Sequence, residues 1–400
     1  MLSRPRLRFA LLASLTLFVP LTLAAQGTPG VTIDGRGVTW ASPDGVNRVT
    51  MRFRIQELTT ISSAEDDPFN PEQVLFQVRR ARLRFGGTLL NPRLGFNLQL
   101  SFTRSDQDWA DTGFPNVLRD ATISWRFTPH LQGIVGQGKL PGNRQRTISS
   151  GELEFPERSI VNNRFTFDRD VGLQLWWADT LGIVPVHLRT AVSGGEGRNP
   201  AGNDDGVAWT ARAEVQPLGA FADGSDDFEG DLTRQSAPRL ALAISAQQNN
   251  KTTRVGGQLG LPLHAARTMR TFEADVLFKH RGLALYGEFA RRTADDPITT
   301  RAGSANRYIY AGAGRLLQAS YALSSAWSPQ LRWAVVTPDD EIANEAGAAR
   351  QEQLSMGLTR YFKRHRIKST GELLHDKTAA NAAGAQRRGW IVRWALELGI

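Results

Sequence analysis

Arginine recurs at every second position in two stretches near the start of the chain. The first stretch contains Arg52 and Arg54, and the second contains Arg80, Arg82 and Arg84. The residues between them are apolar, so an extended chain would carry guanidinium groups on one face and a hydrophobic surface on the other. A guanidinium group is planar and binds two oxygens of a phosphate or carboxylate at once. The spacing therefore indicates reversible binding of small oxyanions.

Six further basic residues extend this candidate anion pathway along the chain. They are Arg126, Lys139, Arg144, Arg146, Arg158 and Arg164. Arg189 adds another positive charge. Five acidic residues have the same parity as the arginines in their own segments: Asp120, Asp170, Glu214, Glu288 and Glu397. The charged face is therefore interpreted either as an anion pathway with excess positive charge or as a self-neutralising surface without strong selectivity.

These side chains need β-strands to place them, because a strand sends successive side chains to opposite faces. We count sixteen alternating segments of about ten residues, the length with which a tilted strand crosses a bilayer. In one of them Leu94, Phe96 and Leu98 alternate with Asn97 and Gln99. The sequence therefore predicts an all-β fold, a transmembrane antiparallel β-barrel of 16 strands with apolar side chains toward lipid and polar ones toward a lumen.

The connections between these segments alternate in length. Four short turns lie at residues 91–93, 128–130, 281–282 and 363–365, and five long polar loops at residues 59–73, 104–116, 141–167, 247–269 and 293–310. Outer-membrane barrels have short periplasmic turns and long external loops, and a soluble sandwich has no reason to alternate in this way. Residues 217–237 break the rule, since this long acidic connection falls on the periplasmic side. Either the strand count is wrong there or the segment is an insertion.

The first 25 residues have the features of an export signal. Arg4, Arg6 and Arg8 precede an apolar stretch, residues 9–23, which is short for a membrane-spanning helix. We therefore expect a signal peptide, a short lead-in and a barrel, at residues 1–25, 26–47 and 48–400. The expected location is the outer membrane of a Gram-negative type of cell.

The composition of the chain limits the classes of partner that it can bind. The chain has a formal net charge of +9 and no cysteine, so neither a disulfide nor a thiolate metal site is available. The positive charges are spread along the alternating segments rather than gathered in a tail. Together with export, this distribution argues against a nucleic-acid partner and favours small anions, with membrane lipid around the barrel.

Enzyme signatures are missing from the sequence. No His-Glu-x-x-His, Gly-x-Ser-x-Gly or phosphate-binding loop occurs. The six histidines are scattered, and the acidic pairs in the loops lack calcium-binding spacing. We expect no enzyme activity, cofactor or metal, although a barrel-borne hydrolase using the inward-facing His187 remains an alternative.

Several motifs, in order along the chain, are similar to those of one known family. They are FQVRRARLRFGG at residues 76–87, GQGKLP at 136–141, RDVG at 169–172 and GGEGRN at 194–199. In these motifs the chain resembles the phosphate-selective porin O and P family. The resemblance implies a sixteen-stranded, homotrimeric outer-membrane barrel that passes anions. It also implies that residues 141–167 fold into the lumen as a constriction loop.

The function expected from these observations is passive diffusion of small anions, phosphate or related oxyanions, through an arginine-lined lumen. A general porin with little selectivity is the first alternative, and a hydrolase or a structural adhesion barrel is the second. Arg79 has the lipid-facing parity of its segment, and we expect its side chain to snorkel at the outer edge of the membrane.

Overall fold

Antiparallel strands dominate the computed structural model, which describes residues 30–34, 37–107, 115–200, 202, 206–323, 326–381 and 387–400. Sixteen of the strands in this part of the chain each pair with two others of the sixteen and close into one barrel. The closing pair is the last strand with the first barrel strand, where Leu398 lies opposite Ile55. The predicted 16-stranded antiparallel β-barrel is confirmed.

The described strands are numbered in chain order. They are β1 (Val31–Asp34), β2 (Gly37–Ala41), β3 (Arg48–Ala64), β4 (Pro71–Leu89), β5 (Asn91–Ser101), β6 (Leu118–Arg126), β7 (Leu131–Lys139), β8 (Arg169–Leu181), β9 (Val184–Ser193), β10 (Ala208–Val215), β11 (Arg239–Arg254), β12 (Pro262–His280), β13 (Leu283–Ala294), β14 (Ile298–Thr299), β15 (Arg307–Tyr308), β16 (Gly312–Tyr321), β17 (Trp327–Pro338), β18 (Gln351–Lys363), β19 (Ile367–Thr378) and β20 (Arg387–Gly399). The barrel consists of β3–β13 and β16–β20. The hairpin β1–β2 extends the sheet beside β3, and β14–β15 is a small separate hairpin.

The two faces of the barrel differ as the alternation predicts. On β8, Leu173 is 62% exposed while its neighbour Gln174 is 5% exposed. On β11, Ile244 is 54% exposed and Ser245 is 2% exposed. Apolar side chains therefore cover the outer wall, and polar side chains point into the barrel.

Several register shifts interrupt the sheet, and two of them are β-bulges that each turn an additional arginine inward. On β4 the register jumps from Val78 to Arg80, so Arg79 is the extra residue. On β6 it jumps from Leu118 to Asp120, which makes Arg119 the extra residue. A bulge inserts one residue without moving its neighbours to the other face. The expectation that Arg79 snorkels at the membrane edge is wrong, because its guanidinium group hydrogen-bonds Glu157 inside the barrel.

The two ends of the barrel have connections of different length. At one end β12 and β13 are joined by Arg281 and Gly282 alone, both with positive φ (50° and 97°), as a two-residue hairpin turn requires. At the other end the connections are longer, but two are shorter than the sequence predicts. Because β3 and β4 are 17 and 19 residues long, their loop is only residues 65–70, and the β11–β12 loop is residues 255–261.

Residues 216–238, the inserted connection, join β10 to β11 at the short-turn end. The strand count is therefore right at this place, and the long connection is an insertion. The signal peptide expected at residues 1–25 lies outside the described residues.

Residues 140–168, the lumen loop, run from β7 to β8 through the inside of the barrel. The loop contains two short helices, α1 (Arg144–Thr147) and α2 (Ile160–Phe165), and Ser159 caps α2 by accepting a hydrogen bond from the Asn162 amide. Val161 and Phe165 pack on the inner wall against buried Leu316, Ala334 and Val336. The lumen is thus partly filled by a hydrophobic core. Among the described residues, no helix is long and apolar enough to cross a membrane.

A charge on the outer wall tests this arrangement. We expect Ile244→Arg to lower the free energy of unfolding by about 2–4 kcal/mol, because a guanidinium group at the middle of a lipid-facing strand loses its hydration. Denaturant unfolding of the protein refolded in lipid vesicles measures the change. Ser236→Arg, at an exposed site in the inserted connection, is the matched control and should leave the stability unchanged. Equal effects of the two substitutions would contradict a lipid-facing Ile244.

Candidate functional site

The first half of the lumen loop is fixed to carboxylates on one side of the barrel. Arg144 forms ion pairs with Asp275 of β12 (3.2 Å) and Glu214 of β10 (2.8 Å). Arg212 of β10 contacts the same two carboxylates, at 2.6 and 2.9 Å. We call Glu214, Asp275 and Glu288 the acidic wall. Since the loop neutralises this wall, Arg144 is a structural anchor rather than a free cation of a pathway.

The acidic wall also accepts hydrogen bonds from two neutral donors. Asn143 donates from Nδ2 to Glu288 Oε1 at 2.6 Å, and the Tyr286 hydroxyl donates to Glu288 Oε2 at 2.5 Å. Elsewhere the backbone of the loop is held by basic side chains. Lys368 of β19 donates to the carbonyl oxygens of Gly151 and Leu153 at 2.7 and 2.6 Å. These contacts hold the loop across the barrel.

Two other predicted pathway residues of the loop are also engaged elsewhere. Arg146 pairs with Asp168 at the end of the same loop. Arg164 donates to the carbonyl oxygen of Gly347 at 3.3 Å and lies 4.9 Å above the ring of Tyr310, in the direction of the external loops. Neither side chain lines the cavity of about 680 Å³ that lies beside the loop.

Opposite the acidic wall, between the lumen loop and β3–β9, lies a cavity of about 680 Å³, the basic cavity. It extends from Leu140 and Thr147 of the loop to Pro92 at the short-turn end. Six of the predicted pathway residues line it: Arg52, Arg82, Arg84, Arg126, Lys139 and Arg158. Arg54 lies in an adjoining space of about 500 Å³, 3.2 Å from Glu397.

Four more basic side chains complete the lining: Arg93, Arg119, Arg169 and Arg189. The alternation pattern overlooks Arg119 and Arg169. Arg119 is the extra residue of a bulge, and Arg169 is the first residue of β8, where the chain leaves the lumen loop. In each case an Arg-Asp pair, Arg119-Asp120 or Arg169-Asp170, breaks the alternation of a strand. Two adjacent residues of opposite charge within a strand were the sequence feature that could have identified Arg119 and Arg169 as lining residues.

Asp106, in the β5–β6 connection, organises the arginines at the loop end of the cavity. Its carboxylate accepts from Arg82 at 2.6 Å, lies 3.2 Å from Arg119, and accepts from the Ser101 hydroxyl at 2.7 Å. Arg82 also donates to the hydroxyl of Ser150, in the lumen loop, at 2.8 Å. One carboxylate thus positions two guanidinium groups and leaves them with a joint excess of positive charge.

Arg80, a predicted pathway residue, is buried behind the loop. It donates to Glu157 Oε2 and to the carbonyl oxygen of Pro156, each at 3.0 Å, and is 1% exposed. Burial opposes ionisation of Glu157, but Arg80 and Arg79 outweigh it and hold the pKa of Glu157 at about 2. Arg80 therefore anchors the lumen loop and does not line the basic cavity.

Three guanidinium groups in the basic cavity are exposed to its solvent. In the described part of the chain, Arg52, Arg84 and Arg126 have no carboxylate within ion-pair distance, and Arg84 donates to the Asn97 side chain at 2.6 Å. Lys139 and Arg158 donate to backbone carbonyl oxygens of the lumen loop, including that of Ile148, at 2.8 and 3.3 Å. Carbonyl acceptors position a cation without cancelling its charge. The cavity is therefore strongly positive.

Glu154 of the lumen loop lies next to a second carboxylate, that of Glu229. Glu154 accepts from the Gln318 side chain at 3.3 Å and from the Ser328 hydroxyl at 3.2 Å, while its backbone amide donates to Glu229 Oε2 at 2.8 Å. Burial, followed by the charge of Glu229, raises the pKa of Glu154 to about 7. The folded loop therefore favours the protonated form of Glu154 over the carboxylate.

This shift gives the loop a pH dependence. An acid whose folded-state pKa is raised contributes stability below its unfolded pKa and loses it as pH rises through the folded value. We expect the hydrogen-exchange protection factors of residues 150–157 to fall as pH rises from about 4.5, the ordinary pKa of a glutamate, to about 7, and to level off above that value. Glu154→Gln should abolish this fall. A loop whose protection is independent of pH in the unsubstituted protein would contradict the assignment.

The sequence of this chain matches one known family. The model of the phosphate-selective porin O and P family matches residues 49–254, just over half of the chain. No curated protein sequence matches the chain.

Solved outer-membrane proteins share the fold at low sequence identity. The outer membrane channel DcaP of Acinetobacter baumannii is 12% identical, with 90% of this chain and 99% of that chain covered and a TM-score of 0.55. The anion-selective porin from Comamonas acidovorans is 13% identical, with 88% and 99% covered and a TM-score of 0.54. The trimer form of OmpT from Vibrio cholerae is 10% identical, with 88% and 99% covered and a TM-score of 0.53.

The family match indicates a channel, and the closed barrel with its apolar outer wall agrees with this assignment. The chain is a porin of the outer membrane and belongs to the phosphate-selective porin O and P family.

Proposed function

We propose that this porin passes small anions through the basic cavity, with oxyanions such as phosphate favoured over chloride. The observation that carries the proposal is the lining of that cavity. Ten basic side chains face three acidic ones, Asp120, Glu152 and Asp227. A narrow wet path with this excess of fixed positive charge concentrates anions and excludes cations.

The pairing of the cations supports rapid passage. Arg52, Arg84 and Arg126 lie toward the short-turn end and are exposed, so their attraction for an anion is screened by water. Arg82 and Arg119 at the loop end are largely buried and share Asp106. An entering anion thus meets several sites of moderate strength, each weak enough to release it to the next.

Arginine rather than lysine dominates the lining, with Lys139 as the single lysine among the ten basic residues. The fork of a guanidinium group matches two oxygens of an oxyanion, whereas a spherical chloride ion uses only one contact. This difference favours phosphate and related oxyanions.

The surroundings of the barrel are part of the same proposal. The apolar outer wall contacts outer-membrane lipid, and export depends on residues 1–25 as a cleaved signal peptide. Residues 26–47 then form the lead-in, residues 48–400 the barrel, and residues 141–167 its constriction. We infer a homotrimer, supported by the shared fold of OmpT in its trimer form.

Planar-bilayer recordings test the anion preference. We expect the double variant Arg84→Gln, Arg126→Gln to lower the anion-to-cation permeability ratio about threefold, equivalent to about 0.7 kcal/mol, the size of a screened charge interaction. Neither guanidinium group has a carboxylate partner in the described part of the chain, so no buried charge is left unpaired. The reversal potential in a salt gradient measures the ratio.

The matched control is Arg164→Gln, Arg270→Gln, which removes the same charge away from the basic cavity. Arg270 lies on the outer rim beside Asp295, at 2.8 Å. The control should keep the permeability ratio of the unsubstituted porin. Phosphate added to a chloride solution should reduce the current through the unsubstituted porin and reduce it less in the cavity variant. Absence of anion preference and of phosphate block would instead indicate a general, weakly selective porin.

A further inference from the structure

The inserted connection is much longer than the other connections at its end of the barrel. The other connections between barrel strands at the short-turn end contain one to five residues, whereas residues 216–238 separate β10 from β11. The segment packs inside the barrel and does not extend away from it. Residues 222–227 form a 3₁₀ turn, and Ser225, Glu229 and Asp231 are almost fully buried.

A buried lysine holds the segment against the inner wall. Lys279 of β12 is 0% exposed, and its ammonium group donates to the carbonyl oxygens of Ser225, Phe228 and Gly230 at 2.6, 2.8 and 2.7 Å. These three bonds use all three donors of the ammonium group. Asp231 adds a second fastening, because its carboxylate accepts from the Gly282 amide at 2.7 Å.

The segment meets the lumen loop inside the barrel. Glu229 accepts from the Gln145 side chain at 3.0 Å and from the Glu154 amide at 2.8 Å, and its own amide donates to the carbonyl oxygen of Glu152 at 3.2 Å. One element enters from the external end and the other from the short-turn end. They are joined by hydrogen bonds that are buried or partly buried.

Two side chains at the tip of the segment reach the basic cavity, namely Asp227 and Phe228. Phe228 is stacked on the ring of His365, in the β18–β19 turn, with centroids 4.8 Å apart. Among the described residues of the lining, Asp227 is one of three acidic side chains, facing ten basic ones.

We infer that the inserted connection is the second half of the constriction: Phe228 limits the bore from the short-turn side, and Asp227 limits the anion preference that the arginines create. The inference rests on the proposed anion pathway for the role of Asp227, but not for the role of Phe228. A carboxylate at the rim weakens the hold on the anion and so favours its release toward the periplasm.

Cysteine labelling tests the position of the tip, since the chain has no cysteine of its own. Asp227→Cys is compared with Ser236→Cys, an exposed site on the same segment that does not line the cavity. Each folded porin in a planar bilayer is treated with a cationic or an anionic methanethiosulfonate. We expect both reagents to lower the conductance of the Asp227→Cys porin and neither to affect the Ser236→Cys porin.

The two reagents distinguish the effect of the adduct's size on the bore from the effect of its charge on the anion preference. In the Asp227→Cys porin, the cationic adduct should shift the reversal potential toward stronger anion preference, and the anionic adduct should shift it the other way. If both reagents lowered the conductance but shifted the reversal potential equally, the constriction would be supported and the role of the charge would be overturned. Unchanged conductance with both reagents would overturn the inference as a whole, provided that mass spectrometry shows the introduced thiol to be modified.

A second variant removes the side chain that narrows the path. Phe228→Ala should raise the single-channel conductance, while Leu218→Ala, at an exposed site of the same segment, should not. An unchanged conductance in Phe228→Ala would contradict the constriction. If the unsubstituted porin proved non-selective, the proposed anion pathway would fail, while a gain of conductance in Phe228→Ala would still support the second half of the constriction.

Discussion

The ion pairs of Arg144 with Glu214 and Asp275 are the interaction on which the lumen depends. They seat the lumen loop on the acidic wall and neutralise most of that wall at the same time. The arginines of the opposite wall then have few carboxylates to pair with. The positive charge of the basic cavity is therefore a consequence of where the loop docks, and not only of how many arginines the strands carry.

A buried ion pair is costly to desolvate, and removing one partner of such a pair typically costs about 3–5 kcal/mol. Around Arg144 the partners are complete, with Arg212 balancing the second carboxylate. Helix α2 of the loop is also held by packing. A Cβ atom on Gly314 would lie 2.7 Å from the ring of Phe165, so this glycine makes room for α2. Charge and shape thus fix the same position of the loop.

Alternation such as that of Leu94, Phe96 and Leu98 with Asn97 and Gln99 was enough to predict the strands, the barrel and its apolar outer wall, because burial with a period of two is a local property. It could not identify Arg79 and Arg119 as inward-facing, since a bulge shifts the phase within one strand. Nor could it separate Arg144, an anchor, from Arg84, a solvated cation. That distinction depends on where distant carboxylates, such as Asp275, meet the lumen loop in the folded barrel. The insertion at residues 216–238 was visible in the sequence, but its fold into the lumen depends on the distant Lys279.

The bulges have a consequence for how the lumen can change over evolution. Leaving out Arg79 would bring Val78 and Ala81 into uninterrupted alternation around Arg80, and Arg119 stands in the same relation to Leu118 and Asp120. Gain or loss of a single residue can therefore add or remove one cation while the membrane-facing surface keeps its pattern. Relatives can differ in lumen charge by one-residue insertions and deletions inside strands, where such changes are ordinarily excluded.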